Sequence, residues 1–292
     1  MINERNKNIL LAGASGALGL EILKLLEGGP FNVRALILSK KEEEEVKPFT
    51  HDIWKVDAAK EFYDIQNITE GIDVVISAMG KSVSLFTDRG NSFYEDDFEA
   101  NQNLITDSQN NKVSRFVYVS IKGASLNHDF EIPRVHKKVE EILKGSDLDF
   151  TIIRPVGFFS GLHDLAIMAK RKMIPLVGDG NAKTNSIHQR DLAKLILENL
   201  FEGPELLEVG GPKIHTRLEM AKMISEKIGG KIIKVPEKIA EWGMFIPELL
   251  DKDTAEILKY FKFITTHDMI GDKYGTETFR EYLDTLDLKS LP

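Results

Sequence analysis

The chain alternates short apolar runs with helical patterns. Asn8 to Ala12 is apolar on both faces of an extended segment, and after a glycine-rich break Leu18, Ile22, Leu25 and Leu26 recur at helical spacing until Gly28-Gly29-Pro30 stops the helix. Further β-rich runs follow at Val33 to Leu38, Asp52 to Val56, Val74 to Ala78, Phe116 to Ser120 and Phe150 to Arg154, each apolar enough to be covered on both sides. Helical patterns fill Asp97 to Gln109, Val135 to Leu143 and Asp191 to Leu200, the last with Asp191 as its expected cap. This order predicts βαβ units, and so an α/β fold with a doubly wound parallel sheet of the Rossmann kind. After residue 203 the texture changes, with Gly203-Pro204, Gly210-Gly211-Pro212 and Gly229-Gly230 separating short elements. Residues 1–203 are therefore expected to form the main domain, and 204–292 a smaller carboxy-terminal α/β lobe that is not an independent domain. In that lobe Thr216 and Glu219 predict a capping box, and Trp242, Phe245, Phe261 and Phe263 predict core. The acidic run Glu42 to Glu45 reads as a solvated loop or helix start.

Composition narrows the function. A formal net charge of −8 argues against a broad nucleic-acid footprint, which needs Lys and Arg to displace counterions from phosphates. With no cysteine there is no disulfide, no thiolate nucleophile and no cysteine-based metal site. The seven histidines form no HxH or HExxH cluster, so no metal site is expected. No apolar run reaches the length of a membrane span, and the expectation is a cytoplasmic protein whose partner is a small molecule. Oligomeric state is not set by the sequence.

The strongest chemical signal is the turn Gly13-Ala14-Ser15-Gly16-Ala17-Leu18-Gly19, which follows a buried strand and opens a helix inside a βαβ unit. In that context the backbone N–H groups and the helix amino terminus hold a dinucleotide pyrophosphate. Gly13 allows the turn, Gly16 the close approach of backbone to phosphate, and Gly19 the tight packing of helix on strand, while Ser15 offers a hydroxyl. No carboxylate closes strand two, which ends Leu38-Ser39-Lys40-Lys41. Ser39 and Lys40 would meet a ribose 2′-phosphate, and the cofactor expected is NADP, with NAD possible. Asp57 and Ala58, after strand three, are placed near the adenine, and Ala78-Met79-Gly80, after strand four, beneath the adenosine and ribose.

In these segments the chain resembles the short-chain dehydrogenase/reductase superfamily, specifically its atypical, NmrA-like branch of NAD(P)-binding proteins. The resemblance spans nearly the whole length and rests on the GxxGxxG spacing, Val56-Asp57, Phe116 to Ser120, Thr151 to Pro155, Ile187 to Ala193, Val209 to Pro212 and Val235-Pro236. It implies a substrate cleft between the cofactor and the carboxy-terminal lobe, with Ser120, Pro155 and Phe158 bordering the cofactor. Active members carry a Tyr four residues before a Lys on the helix ahead of strand six, so that the ammonium lowers the tyrosine pKa. Here those positions fall on Ile132 and His136. Tyr118 and Lys122 match by spacing alone, but along a strand four residues span roughly 13 Å against about 6 Å on a helix, so they do not form that dyad. The remaining acid–base candidates are His136, Lys138 and Ser120, with His128 in the preceding loop. His136 and Lys138 are expected on the two borders of the buried helical stripe, where the imidazole would titrate near neutral pH. His163 and His188 are weaker candidates, the latter for local hydrogen bonding.

Three functions are consistent with these features. The first is an NADPH-dependent reductase of a small, partly apolar substrate, with hydride chemistry supplied by the cofactor. The second is a non-catalytic, NADP-responsive regulatory protein, which the missing Tyr–Lys pair predicts. A nucleotide-sugar epimerase or dehydratase comes last, because those enzymes retain the pair.

Overall fold

A computed structural model describes residues 6–60, 62, 65–86, 91–124, 126, 130–238 and 251–287. The first half runs β1 (Lys7–Ala12), α1 (Ala17–Leu26), β2 (Phe31–Ile37), α2 (Lys40–Val46), β3 (Asp52–Lys55) and β4 (Val74–Ser77). A π-helical segment, Tyr94–Glu99, leads into α3 (Ala100–Asn110), followed by β5 (Arg115–Val119), α4 (Glu131–Lys144) and β6 (Asp149–Pro155). All six strands are parallel, in the order β3-β2-β1-β4-β5-β6. The strand order reverses between β1 and β4, and at such a point the carboxyl ends of the strands open a crevice.

Strand alternation builds the core on two faces. Ile9, Leu11, Ile76, Val117 and Ile153 face one way and pack on Leu18, Ile22 and Leu26 of α1. Leu10, Ala12, Val75, Phe116, Tyr118 and Ile152 face the other way, against Leu104 and Ile105 of α3 and Val135, Val139 and Leu143 of α4. Successive side chains on a strand point to opposite faces, so apolar residues at every position require helices on both sides.

The second half comprises α5 (His163–Lys170), β7 (Met173–Val177), β8 (Lys183–Thr184), α6 (Gln189–Glu198), β9 (Leu206–Gly210), β10 (His215–Thr216), α7 (Arg217–Ile228), β11 (Lys231–Val235), α8 (Lys252–Thr266), β12 (Asp272–Lys273) and α9 (Phe279–Thr285). Strands β9 and β12 return to the main sheet beyond β6, making eight strands. Two small sheets lie outside the main one, β7 with β11 and β8 with β10. The stretch 204–292 expected as a smaller lobe thus gives β9 and β12 to the main sheet and pairs its β10 and β11 with β8 and β7 from before residue 203.

The Thr216–Glu219 capping box forms as expected. The cap of α6 is corrected: the Nδ1 of His188 accepts from the Arg190 amide at 3.0 Å, while Asp191 is buried in the first turn and accepts from the amides of Thr276 and Glu277, each at 2.8 Å. Phe261 packs against a cluster of Phe93, Ile132, Ile257 and Tyr260. Trp242, Phe245 and His128 lie outside the described residues. Among the described residues no helix is long and apolar enough to cross a membrane, and no group of three or more acidic or histidine side chains could hold a metal ion.

The glycine turn makes a prediction about folding. A Cβ on Gly19 would lie 2.2 Å from the carbonyl oxygen of Gly13 and 2.7 Å from that of Ala14, both backbone atoms that cannot rotate away. Gly19→Ala should lower stability by about 3 kcal/mol, read from chemical denaturation, and a wild-type midpoint would show that α1 can withdraw from the turn.

Candidate functional site

The site is assembled at the carboxyl ends of β1, β4 and β5. Gly13, at φ +77°, turns the chain out of β1 against Ala78, whose carbonyl oxygen lies 2.6 Å from where a Cβ would stand. Such a backbone conformation favours glycine even without that contact. Gly16 differs from its two neighbours in the motif. It caps α1 with an ordinary extended backbone, and a Cβ there would meet only the Gly13 oxygen at 3.3 Å. Packing within the protein therefore asks little of Gly16. Gly16 and Ala17 are exposed, beside the first N–H groups of α1, which have no acceptor within the helix. That is the anion-holding arrangement of a helix amino terminus.

A polar cluster lies beside this turn, between α4, β5 and the π-helical segment. The Tyr118 hydroxyl and His136 Nδ1 are 2.7 Å apart, and His136 Nε2 is 3.6 Å from Asp97 Oδ1. Asp97 Oδ1 also accepts from the Lys81 amide at 3.2 Å, while Asp97 Oδ2 is buried without a partner. Gly80 makes room for this carboxyl, because a Cβ there would stand 2.6 Å from Asp97 Oδ1. Burial governs the charge state of all three. It pushes the Asp97 carboxyl and the Tyr118 hydroxyl well above their ordinary values, and pushes His136 down to about 4. Burial thus favours the uncharged form of all three groups.

A charged cluster sits one turn further along α4. Glu140, one turn after His136, accepts from the Ser120 hydroxyl at 2.7 Å and from Arg154 Nε at 2.8 Å. Arg154 continues to Glu208 of β9 at 3.1 Å, and Glu208 pairs with Lys122. Burial raises the Glu140 carboxyl, but the bonds from Arg154 and Ser120 outweigh it and hold the group below the usual carboxylate range. Breaking one partner of a buried pair of this kind strands the other charge, so it fixes α4 to the sheet.

Residues 13–203 match the model of a family described as NAD(P)H-binding. The chain belongs to that family. Similar proteins include a photosystem II assembly factor of Cyanophora paradoxa, 28% identical over 96% of this chain and 94% of the relative. A chloroplastic divinyl chlorophyllide a 8-vinyl-reductase of Cucumis sativus is 24% identical over 97% of this chain and 76% of the relative. Among solved structures, an NADPH-dependent quinone oxidoreductase of Escherichia coli complexed with NADPH superposes with a TM-score of 0.72 at 14% identity, covering 94% of this chain and 98% of that one. The expected Rossmann fold and the resemblance to atypical short-chain dehydrogenases are borne out, as is a domain that binds NAD(P).

The cofactor candidates Gly13, Ser15, Gly16, Ala17, Leu18, Gly19, Ala78, Met79 and Gly80 stand together at the switch point. Asp57 and Ala58 follow β3, where Asp57 accepts from the Ala59 amide at 3.1 Å and Ala58 is buried. Pro155 ends β6, and Phe158 lies just beyond it in a bridge with Ile187. Two expectations at the site are corrected. His136 is not a border residue titrating near neutrality, since it is only 7% exposed and desolvation keeps it neutral. Strand two does not end without a carboxylate, because α2 returns Glu42 to it, Oε2 accepting from the Leu38 amide at 2.9 Å. Lys138 stands apart from His136, its ammonium over the rings of Tyr94 and Phe98 at 5.0 and 5.1 Å. Ser120 is buried and committed to Glu140.

Asp97, Glu140 and Glu42 were missed by sequence reasoning. The i, i+4 spacing of His136 and Glu140 was available as a signal that they share a helical face, although Glu140-Glu141 reads like solvent-facing charge.

Two variants separate cofactor binding from structure here. Gly16→Val should keep a melting temperature within a few degrees of wild type and lose at least about tenfold in NAD(P) affinity; unchanged affinity in calorimetry would remove the turn from the site. Tyr118→Phe, which leaves His136 Nδ1 buried without its partner, should destabilise the fold by about 1–3 kcal/mol, and a neutral result in denaturant titration would mean that the contact is not made in solution.

Proposed function

We infer that the protein is a reductase that transfers hydride from a reduced nicotinamide dinucleotide to a small, partly apolar substrate. The observation that carries this reading is Asp97: a buried carboxyl with one oxygen unpartnered, its neutral form favoured by burial, beside the crevice where the dinucleotide binds. When bound, the cofactor supplies the hydride. Reduction also needs a proton at the substrate heteroatom, and a neutral carboxylic acid is a donor where an ionised one is not. His136, hydrogen-bonded to the Tyr118 hydroxyl, stands behind Asp97 with its Nε2 3.6 Å from the carboxyl, where it can orient that group. Above the cluster, Ile257 and Tyr260 of α8 pack with Phe93 and Ile132, flanked by Val83, Leu85, Ile121 and Phe130. This apolar roof supports a substrate with little charge, and closing a site with apolar groups strengthens every polar interaction inside it. The vinyl-reductase and quinone oxidoreductase resemblances point the same way.

A second reading, dinucleotide-responsive regulation without turnover, is favoured by one observation. Ile132 is buried in the apolar cluster at the position where active members of the superfamily carry tyrosine. The resemblance to an assembly factor supports it as well.

Assays of NADH and NADPH oxidation against ketones, enones and quinones decide between the two. A reductase should turn over at least one class, and Asp97→Asn should lower turnover by about a hundredfold while leaving dinucleotide affinity within about threefold. With its imidazole at about 4, His136 should add no inflection to the rate between pH 6 and 8. Full activity of Asp97→Asn would exclude Asp97 as the donor. Tight dinucleotide binding with no turnover on any class would favour regulation.

A further inference from the structure

The acidic run after β2 looks solvent-facing in the sequence, yet Glu42 turns inward. Its Oε2 accepts from the Leu38 amide and from the Ser15 hydroxyl, both at 2.9 Å, and its Oε1 accepts from the Ser39 hydroxyl at 3.1 Å. A glutamate in the first turn of a helix ordinarily reaches back to the residues before that helix, which accounts for the bonds at Leu38 and Ser39. It does not account for Ser15. That serine lies 27 residues earlier, in the glycine turn. The bond to it carries the carboxylate across the gap between the end of β2 and the phosphate-binding loop. In this architecture the adenosine ribose is held in that gap, by an acidic residue about 20 positions beyond the glycines. Glu42 follows Gly19 by 23 residues (42 − 19), although it stands on α2 and not at the strand end where such a partner usually sits.

We propose that Glu42 sets the choice between the two dinucleotides, its carboxylate accepting the ribose 2′-hydroxyl of NAD(H) and excluding the 2′-phosphate of NADP(H). The proposal rests on the family's dinucleotide binding and not on the reductase reading. An ionised carboxylate is an acceptor only, so a hydroxyl suits it and a phosphate, with no proton to offer and a like charge, does not. Burial raises the Glu42 carboxyl, but the Leu38 amide and the hydroxyls of Ser15 and Ser39 outweigh it and hold the group below the usual range, so it is charged at neutral pH. Lys40 and Lys41 would draw a phosphate the other way. Both are exposed, and their attraction is screened by salt. A 2′-phosphate would have to displace Glu42 from three hydrogen bonds to reach Ser15 and Ser39, whereas a 2′-hydroxyl would leave the carboxylate in place.

Calorimetric titration of the full chain with NAD, NADH, NADP and NADPH tests this, with thermal unfolding confirming that each variant is folded. Wild type should bind the unphosphorylated pair at least about tenfold more tightly. Glu42→Gln, which keeps an acceptor for the Leu38 amide but removes the charge, should shrink or reverse that ratio by about tenfold, chiefly through stronger NADP(H) binding. Replacing Lys40 and Lys41 together by Ala should leave the ratio within about threefold. A wild-type preference for NADP(H), an unchanged ratio in Glu42→Gln, or a collapse of the ratio in the double lysine variant would each overturn the role of Glu42. Failure of folded wild type to bind either pair would overturn the dinucleotide site itself, and the inference with it.

Discussion

The site depends on backbone meeting backbone at the switch point. Gly13 passes so close to Ala78, and Gly19 so close to Gly13, that β1, the glycine turn, the first turn of α1 and the end of β4 form one contact with no side chain between them. A contact made of main chain has no rotamers to relax, so it sets the position of the α1 amino terminus more rigidly than side-chain packing would. Gly80 applies the same constraint one strand along, where the missing side chain admits the Asp97 carboxyl. The phosphate end and the polar end of the crevice are thus placed by absent Cβ atoms.

Helix α4 is positioned by a different kind of force. Its apolar stripe of Val135, Val139 and Leu143 holds it on the sheet, but hydrophobic packing is non-directional and does not fix rotation about the axis. The Glu140–Arg154 pair supplies that direction, and with Ser120 and Glu208 it ties α4 to β5, β6 and β9. With α4 locked in rotation, His136 is carried one turn away onto Tyr118 and Asp97.

Most of the main sheet was legible because both its faces are covered, which writes apolar runs into β1, β4, β5 and β6, whereas the expectation that β3 is covered on both sides is corrected: it is the edge strand and Asp52, Trp54 and Lys55 are exposed. Elements that depend on distant partners were not legible. The strand β9 looked like the start of a separate lobe, since Gly203-Pro204 precedes it and its only cue is pairing with β6, more than 50 residues earlier. Asp191 looked like a helix cap because nothing local tells that Thr276 and Glu277 will come to it. At the site, the glycine turn was legible because its chemistry is backbone and its spacing local. The carboxylates were not: Glu42, Asp97 and Glu140 sit in sequence among other acids, and composition cannot distinguish the one that turns inward from neighbours that stay in water.

That difficulty has a physical consequence for the chemistry. An active short-chain dehydrogenase uses an ammonium to make a tyrosine acidic, which requires a cation in contact with the hydroxyl. Here the position of that cation is taken by an imidazole that burial keeps neutral, and Tyr118, on the opposite strand face from the core of α1, has its hydroxyl held above the ordinary range. A tyrosine in this setting keeps its proton. The carboxyl is the group whose shift runs in a useful direction, since desolvation and its acidic neighbours make Asp97 hold a proton at a pH where an exposed aspartate has lost it. Burial that favours the neutral forms of the acid and the imidazole limits the charge placed beside a cofactor that is itself anionic at its phosphates, whereas a lysine there would need its own counter-charge. Where active members carry Tyr and Lys on the helix, this crevice is instead bordered by a buried carboxyl on the segment after β4.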